Sequence, residues 1–103
     1  MYDEKIFCVY ILLCADGSYY TGMTGNLVTR LDQHRAGLEP TCYTYRRRPL
    51  RCVHVEYYNY VWDAIYREKQ VKRWSRKKKE ALIRGDENEL KRLARGHGST
   101  SSP

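Results

Sequence analysis

The 103-residue sequence has no apolar run long enough to cross a bilayer. Its longest, Phe7 to Ala15 (FCVYILLCA), falls well short of the about 20 residues a membrane-spanning helix needs. That run does not read as a signal peptide either, because Asp3 and Glu4 precede it and no cleavage-like segment follows. A cytoplasmic location is the expectation. The four cysteines, Cys8, Cys14, Cys42 and Cys52, include no CxxC pair. Combined with His34, His54 and His97 they still lack the close ligand pairs of a zinc site, so they read as reduced thiols acting as small hydrophobes. No segment repeats. Acids are the scarcer charge, twelve Asp and Glu against nineteen Lys and Arg, for a net +7. A polyanion is therefore the default partner, with nucleic acid ahead of a membrane surface. The competing reading is a well-solvated basic surface.

The length fits one domain, read here as 1–95. Phe7 to Cys14 shows no polar alternation, as a central strand covered on both faces would. Asp16-Gly17 is a turn signal, so Ser18 to Met23 returns antiparallel. A two-residue loop would pair Leu13 with Tyr20 and put Tyr10 and Tyr20 on opposite faces. A bulged three-residue loop with Gly17 left-handed pairs Leu12 with Tyr20, and the two tyrosines then share a face.

Thr24-Gly25-Asn26 opens a helix running to about Ala36 and stopped by Gly37. Arg30 and His34 fall beside its Leu27 and Leu31 stripe. Leu38 to Pro49 reads as loop, and Cys52 to Tyr57 as a third strand. A second helix follows from about Tyr60 to Trp74, capped by Asn59, with Val61, Ala64, Ile65 and Val71 inward. Glu68 projects into that apolar face, about 40° from Ala64. An isolated buried charge is prohibitive, so Glu68 requires a partner: Lys72 one turn on, or a metal or cationic site. Ser75 caps a third helix, Arg76 to Arg84, closed by Gly85. A short last helix is expected over Asp86 to Ala94, and 96–103 (GHGSTSSP) is expected to be a disordered tail.

Basic residues concentrate at Arg46, Arg47 and Arg48, and again between Arg67 and Lys79, where Lys72, Arg73, Arg76, Lys77 and Lys78 stand out. Tyrosines are interleaved: Tyr43, Tyr45, Tyr57, Tyr58, Tyr60 and Tyr66. Cations neutralise phosphates and aromatic faces stack on exposed bases, so both clusters are candidate nucleic-acid contacts. Phosphodiester hydrolysis needs a base for water, a cation on the developing charge and help for the leaving oxygen. Glu68 suits a single Mg²⁺ held through oxygen ligands, Arg30 a phosphate clamp, and a tyrosine serves as base where positive charge lowers its pKa from about 10.

Val9-Tyr10, then Tyr20-Thr21-Gly22, Arg30, His34 and a helical Glu68 together resemble the GIY-YIG nuclease superfamily. DGSYYTGMT, YxxRRRPL from Tyr43 and AxxxExxxKxWSRxKKxxLI from Ala64 resemble its small single-domain bacterial branch, which groups with excision-repair and intron-homing type nucleases. The resemblance implies an α+β fold, a small three-stranded antiparallel sheet flanked by three or four helices. It implies a metal-dependent endonuclease acting on DNA, structure- or lesion-directed, in repair or DNA processing; RNA is the other nucleic-acid candidate. Tyr10 takes the family's general-base position, Tyr20 and Arg30 the phosphate positions, His34 a position where relatives often have tyrosine, and Glu68 the site of Mg²⁺ or Mn²⁺. Cys8 stands at the first family glycine, Met23 where several relatives have lysine, and Asn88 near a downstream family asparagine. No separate DNA-targeting domain is read, which points to a protein partner for targeting. The alternatives are a nucleic-acid-binding module of the same fold with little activity, and a basic domain that docks an acidic protein.

Overall fold

The computed structural model describes residues 5–101, and side chains over 5–94. The chain divides into two compact units, Met1–Arg73 and Trp74–Pro103, within what the sequence reads as one domain. The first unit holds β1 (Phe7–Leu13), β2 (Tyr19–Thr24), α1 (Leu27–Ala36), a 3₁₀ turn (Tyr45–Arg47), β3 (Arg51–Tyr58) and α2 (Val61–Lys72). The second holds α3 (Arg76–Arg84) and α4 (Glu87–Ser101), packed on each other.

The sheet is antiparallel in the order β2-β1-β3. The all-apolar β1 takes the centre because only there are both faces covered; Val9, Tyr10, Ile11 and Leu12 are fully buried. The hairpin adopts the bulged turn. Gly17 is left-handed at φ 86°, its N–H donates to the Cys14 carbonyl, and the Cys14 N–H donates to the Ser18 carbonyl. Leu12 is therefore opposite Tyr20, and Tyr10 opposite Gly22. On the other side Val9 is opposite Glu56 and Ile11 opposite His54, with an irregularity before Leu12 that pairs it with Cys52.

Helix ends follow local chemistry. Asn26 caps α1 by accepting from the Thr29 N–H, and Gly37 ends it in the left-handed region at φ 69°. Ser75 caps α3 through the Lys78 N–H, and Asp86 accepts from the Glu89 N–H at the start of α4. Three expected boundaries move. Tyr60, not Asn59, is the cap residue of α2, without a side-chain hydrogen bond, and the helix stops at Lys72 rather than Trp74. α4 continues past Ala94 to Ser101, through most of the segment expected as a disordered tail; 102–103 lie outside the described residues. Gly96 and Gly98 each weaken a helix by about 1 kcal/mol without forbidding it, and no proline lies between Pro49 and Pro103.

α2 packs over the sheet through fully buried Ala64 and Val71. A polar cluster ties it to β3. Arg67 donates from Nε to Glu56 Oε1 at 2.8 Å and from Nη2 to Oε2 at 3.0 Å, while His54 Nε2 and the Tyr58 hydroxyl reach the same carboxylate at 2.8 and 2.7 Å. Burial alone raises the Glu56 pKa, but these three partners outweigh it and hold the carboxyl far below its usual range. Burial and Glu56 together push the Tyr58 phenol up to about 12.

A carboxylate whose pKa falls on folding stabilises the fold above its unfolded pKa of about 4.3 and loses that contribution as pH drops further. Glu56→Gln is expected to cost about 2 kcal/mol at pH 7, discounted for partial exposure. It is also expected to flatten the loss of stability below about pH 5. Urea melts of both proteins from pH 7 to pH 3 check this; parallel pH curves would reject the assignment.

Candidate active site

The bulged register brings Tyr10 and Tyr20 onto one face, as a shared role requires. Tyr10 fits because its strand neighbour has no side chain. A Cβ at Gly22 would stand 2.5 Å from the Tyr10 hydroxyl and 3.0 Å from the Tyr20 ring. The two tyrosine rings have centroids 6.3 Å apart, and the His34 ring meets both edge-on at 5.8 and 5.3 Å. Tyr20 then stacks on Tyr43 at 6.2 Å, and the Arg47 guanidinium lies over the Tyr43 ring at 3.8 Å.

One hydrogen-bond chain runs through this cluster. The Tyr10 hydroxyl lies 2.9 Å from His34 Nε2, and His34 Nδ1 lies 3.0 Å from the Thr44 hydroxyl. Thr44 gives its own proton to Cys42 Sγ at 3.4 Å. Its oxygen must then accept from His34, so the imidazole carries its proton on Nδ1. Nε2 is left as the acceptor for the Tyr10 phenol. Tyr10, His34 and Thr44 are 1, 4 and 1% exposed, so these three links are enclosed, with Cys42 half-buried at the end of the chain.

The electrostatics follow from that enclosure. Burial, and then the neighbouring Tyr20, push the Tyr10 phenol up to about 12, against the opposing pull of Arg30. This reverses the expectation that nearby positive charge lowers it: one guanidinium does not repay the lost hydration of a phenolate. Tyr20 is raised for the same reason, burial first. Burial and then Arg30 lower His34, so the ring is neutral at pH 7. Burial alone raises the Cys42 thiol, but hydrogen bonds from Thr44 and the charge of Arg30 bring it below its usual value. Arg30 donates to Gln33 at 3.1 Å, and its guanidinium sits beside both phenols. With His34, Cys42, Thr44 and Tyr45 it lines a small recess.

The structure thus gathers Tyr10, Tyr20, Arg30 and His34. It does not bond Glu68 to any of them among the described residues. The Glu68 side chain, 16% exposed, has Lys72 Nζ at 3.5 Å, which is the ion-pair alternative read from the helix spacing. Among the described residues no group of three or more His, Cys, Asp or Glu side chains could hold a metal. A lone carboxylate still fits Mg²⁺ or Mn²⁺ chemistry, because such ions take one or two protein oxygens and complete their shell with water and phosphate.

The expected phosphate contacts divide. Arg47 pairs with Asp16 at 3.1 Å and donates to the Tyr43 carbonyl; Arg48 donates to the Tyr45 and Arg35 carbonyls. Arg47 ties the loop to the β1–β2 turn and Arg48 ties it to α1, and only Arg46 of the three has no such tie among the described residues. Lys72 faces Glu68, Arg76 pairs with Glu80 at 3.1 Å, and Lys78 lies 4.3 Å over Trp74; Arg73 and Lys77 are exposed. Thr44 and Cys42 carried no functional signal in the sequence, since a threonine and a thiol in a loop have no spacing of their own. Tyr43 stood out there as one interleaved tyrosine among six and as the start of the YxxRRRPL motif, with no role at the tyrosine pair.

Paired tyrosines on the first two strands of an antiparallel sheet, with an arginine on the next helix, mark a small α+β domain of the nuclease type. Residues 6–81 match the GIY-YIG catalytic domain, and the chain belongs to that family. It is 42% identical over 76 residues to a UPF0213 protein of Syntrophus aciditrophicus, covering 74% of this chain and 87% of that one. A UPF0213 protein of Natronomonas pharaonis is 44% identical over 75 residues, covering 73% and 87%. Among structures solved by solution NMR, a UPF0213 protein of Bacillus halodurans is 38% identical, with a TM-score of 0.52 over 84% of this chain and 93% of that one. A protein of E. faecalis is 34% identical, with a TM-score of 0.57 over 82% and 90%.

Two substitutions test the geometry. Thr44→Val is expected to release the His34 tautomer, read as movement of the imidazole ¹⁵N shifts away from a protonated Nδ1, and to cost about 1–2 kcal/mol. Unchanged shifts would remove Thr44 from the relay. Gly22→Ala is expected to cost about 1–3 kcal/mol by displacing the Tyr10 ring, read as a lower urea midpoint and altered Tyr10 ring resonances.

Proposed function

We propose that this chain is a divalent-metal-dependent endonuclease that hydrolyses phosphodiester bonds in DNA, structure- or lesion-directed, in repair or DNA processing. The observation that carries the reading is the enclosed Tyr10–His34–Thr44 relay with Arg30 beside both phenols. What favours a catalytic role over plain packing is the combination: a phenol whose hydroxyl faces a neutral histidine acceptor and has a guanidinium beside it. Arg30 holds the scissile phosphate and offsets its developing charge. Tyr20, more exposed than Tyr10, orients the phosphate or the attacking water. Tyr10 stays a neutral phenol: as its oxygen accepts a proton from the water that attacks phosphorus, its own proton passes to His34 Nε2 in the same event, the P–O bond to the leaving oxygen breaks, and that oxygen takes a proton from solvent. Proton movement along a preset chain replaces a standing phenolate, which burial forbids. Glu68 would hold Mg²⁺ or Mn²⁺, which supplies Lewis-acid stabilisation of phosphate charge. Targeting would fall to a protein partner, and the cytoplasm is the compartment that suits a DNA substrate and reduced thiols.

A second reading has its own support. Tyr10 is 1% exposed and Glu68 already faces Lys72, which suits a nucleic-acid-binding module with little activity. Incubation of branched, single-stranded and duplex DNA with Mg²⁺ or Mn²⁺ separates the two. Cleavage by the wild type is expected to fall at least about a hundredfold in Glu68→Ala and in Arg30→Ala, with binding largely kept in the former. Equal cleavage by all three proteins would locate the activity elsewhere, and binding without cleavage of any substrate would establish the second reading.

A further inference from the structure

α2 buries one side and leaves the opposite side bare. Ala64 and Val71 are inside, about 180–200° around the helix from Trp62. Trp62, Tyr66, Lys69 and Arg73 fall within a sector of about 60° on the outer side. Trp62 is 62% exposed and Tyr66 74%, and both cations are exposed with no ion pair among the described residues. A tryptophan and a tyrosine one turn apart, held out in water, contribute nothing to the core. Each would lower its free energy by stacking on another flat ring. Tyr57 and Tyr60, also exposed, stand off this line by their spacing.

We propose that this outer face of α2 is a platform for single-stranded nucleic acid, separate from the tyrosine–histidine cluster. Trp62 and Tyr66 stack on two bases, and Lys69 and Arg73 neutralise phosphates farther along the strand. Three features select this occupant. The rings are followed on the same stripe by two cations and no acid; Asp63 and Glu68 lie to either side, and Glu68 is already paired with Lys72. The whole chain carries +7, which favours a polyanion. The rings rise about 6 Å from one another along the helix, more than the 3.4 Å of bases stacked in one strand. That spacing suits a strand whose bases are drawn apart and laid on the rings. An intact duplex presents no free base face, so the platform discriminates between strands open and closed. Such a face would hold an unpaired segment next to a cut site, and to that extent it deepens the nuclease reading, but the affinity it confers needs no cleavage.

The test uses the full chain in EDTA, so that no probe is cut, with fluorescence anisotropy of two labelled probes. One is a 15-nucleotide oligothymidine; the other is an abasic strand with the same number of phosphates. Wild type is expected to bind oligothymidine about tenfold or more tightly than the abasic strand. The double variant Trp62→Ala, Tyr66→Ala is expected to lose that preference and bind both probes alike. Trp62→Phe with Tyr66→Phe is expected to retain most of it, which separates stacking from a folding defect, and circular dichroism confirms each variant's fold. Equal binding of oligothymidine by wild type and the alanine variant would overturn the proposal and assign the face to another partner, such as an acidic protein. Equal binding of both probes by wild type would overturn it too, leaving phosphate contacts alone. A chain that cuts nothing yet shows the expected preference would keep the platform and reject the nuclease reading.

Discussion

Everything on the candidate site's side of the sheet depends on the Tyr10 ring lying over a strand position without a side chain. Gly22 leaves the room; any Cβ there would meet the phenol at less than a van der Waals contact. That juxtaposition exists only in the bulged register. A loop one residue shorter would rotate the tyrosine motif of β2 to the other face and pair Tyr10 with a different residue. One left-handed glycine in a surface turn thus sets whether an enclosed tyrosine–histidine pair forms at all.

The two faces of β1 solve the same problem with different chemistry. Both take polar groups out of water, and each gathers most of them into one hydrogen-bonded cluster; the Thr21 hydroxyl, opposite Ile11, is left without a partner among the described residues. On the Val9 side, Glu56 is ionised and receives donors from Arg67, His54 and Tyr58. On the Tyr10 side the groups stay neutral: a phenol, an imidazole, a hydroxyl and a thiol hand protons in one direction. A charged cluster favours anchoring, because breaking it exposes an uncompensated charge. A neutral chain favours proton transfer, because no step within it begins from a stranded ion.

Much of this was legible in the sequence. The apolar run of β1, the Asp16-Gly17 turn, the caps at Asn26 and Ser75, and the stops at Gly37 and Gly85 are local signals, and the elements follow them. The ends of α2 and α4 were not legible. Tyr60 caps without using its side chain, and no strong breaker marks the end of α4. The basic clusters read as uniform phosphate contacts, yet Arg47 and Arg48 are engaged by backbone carbonyls of their own loop and of α1. Charge is visible in composition, but what a charge is bonded to is not.

The sequence by itself determined the strand order's central member, the turn at Asp16-Gly17, and the spacing of Tyr10, Tyr20, Arg30 and His34; it left two hairpin registers open, and the fold took the bulged one. Each of these is fixed by backbone geometry over a few residues. The protonation of Tyr10, the tautomer of His34 and the part played by Thr44 and Cys42 were decided only in the tertiary structure. They depend on how completely water is excluded and on a loop residue, Thr44, ten positions after the His34 that it touches. Glu68 marks the boundary between the two. Helix spacing put a carboxylate on an apolar face and left two partners open, and the fold set Lys72 beside it.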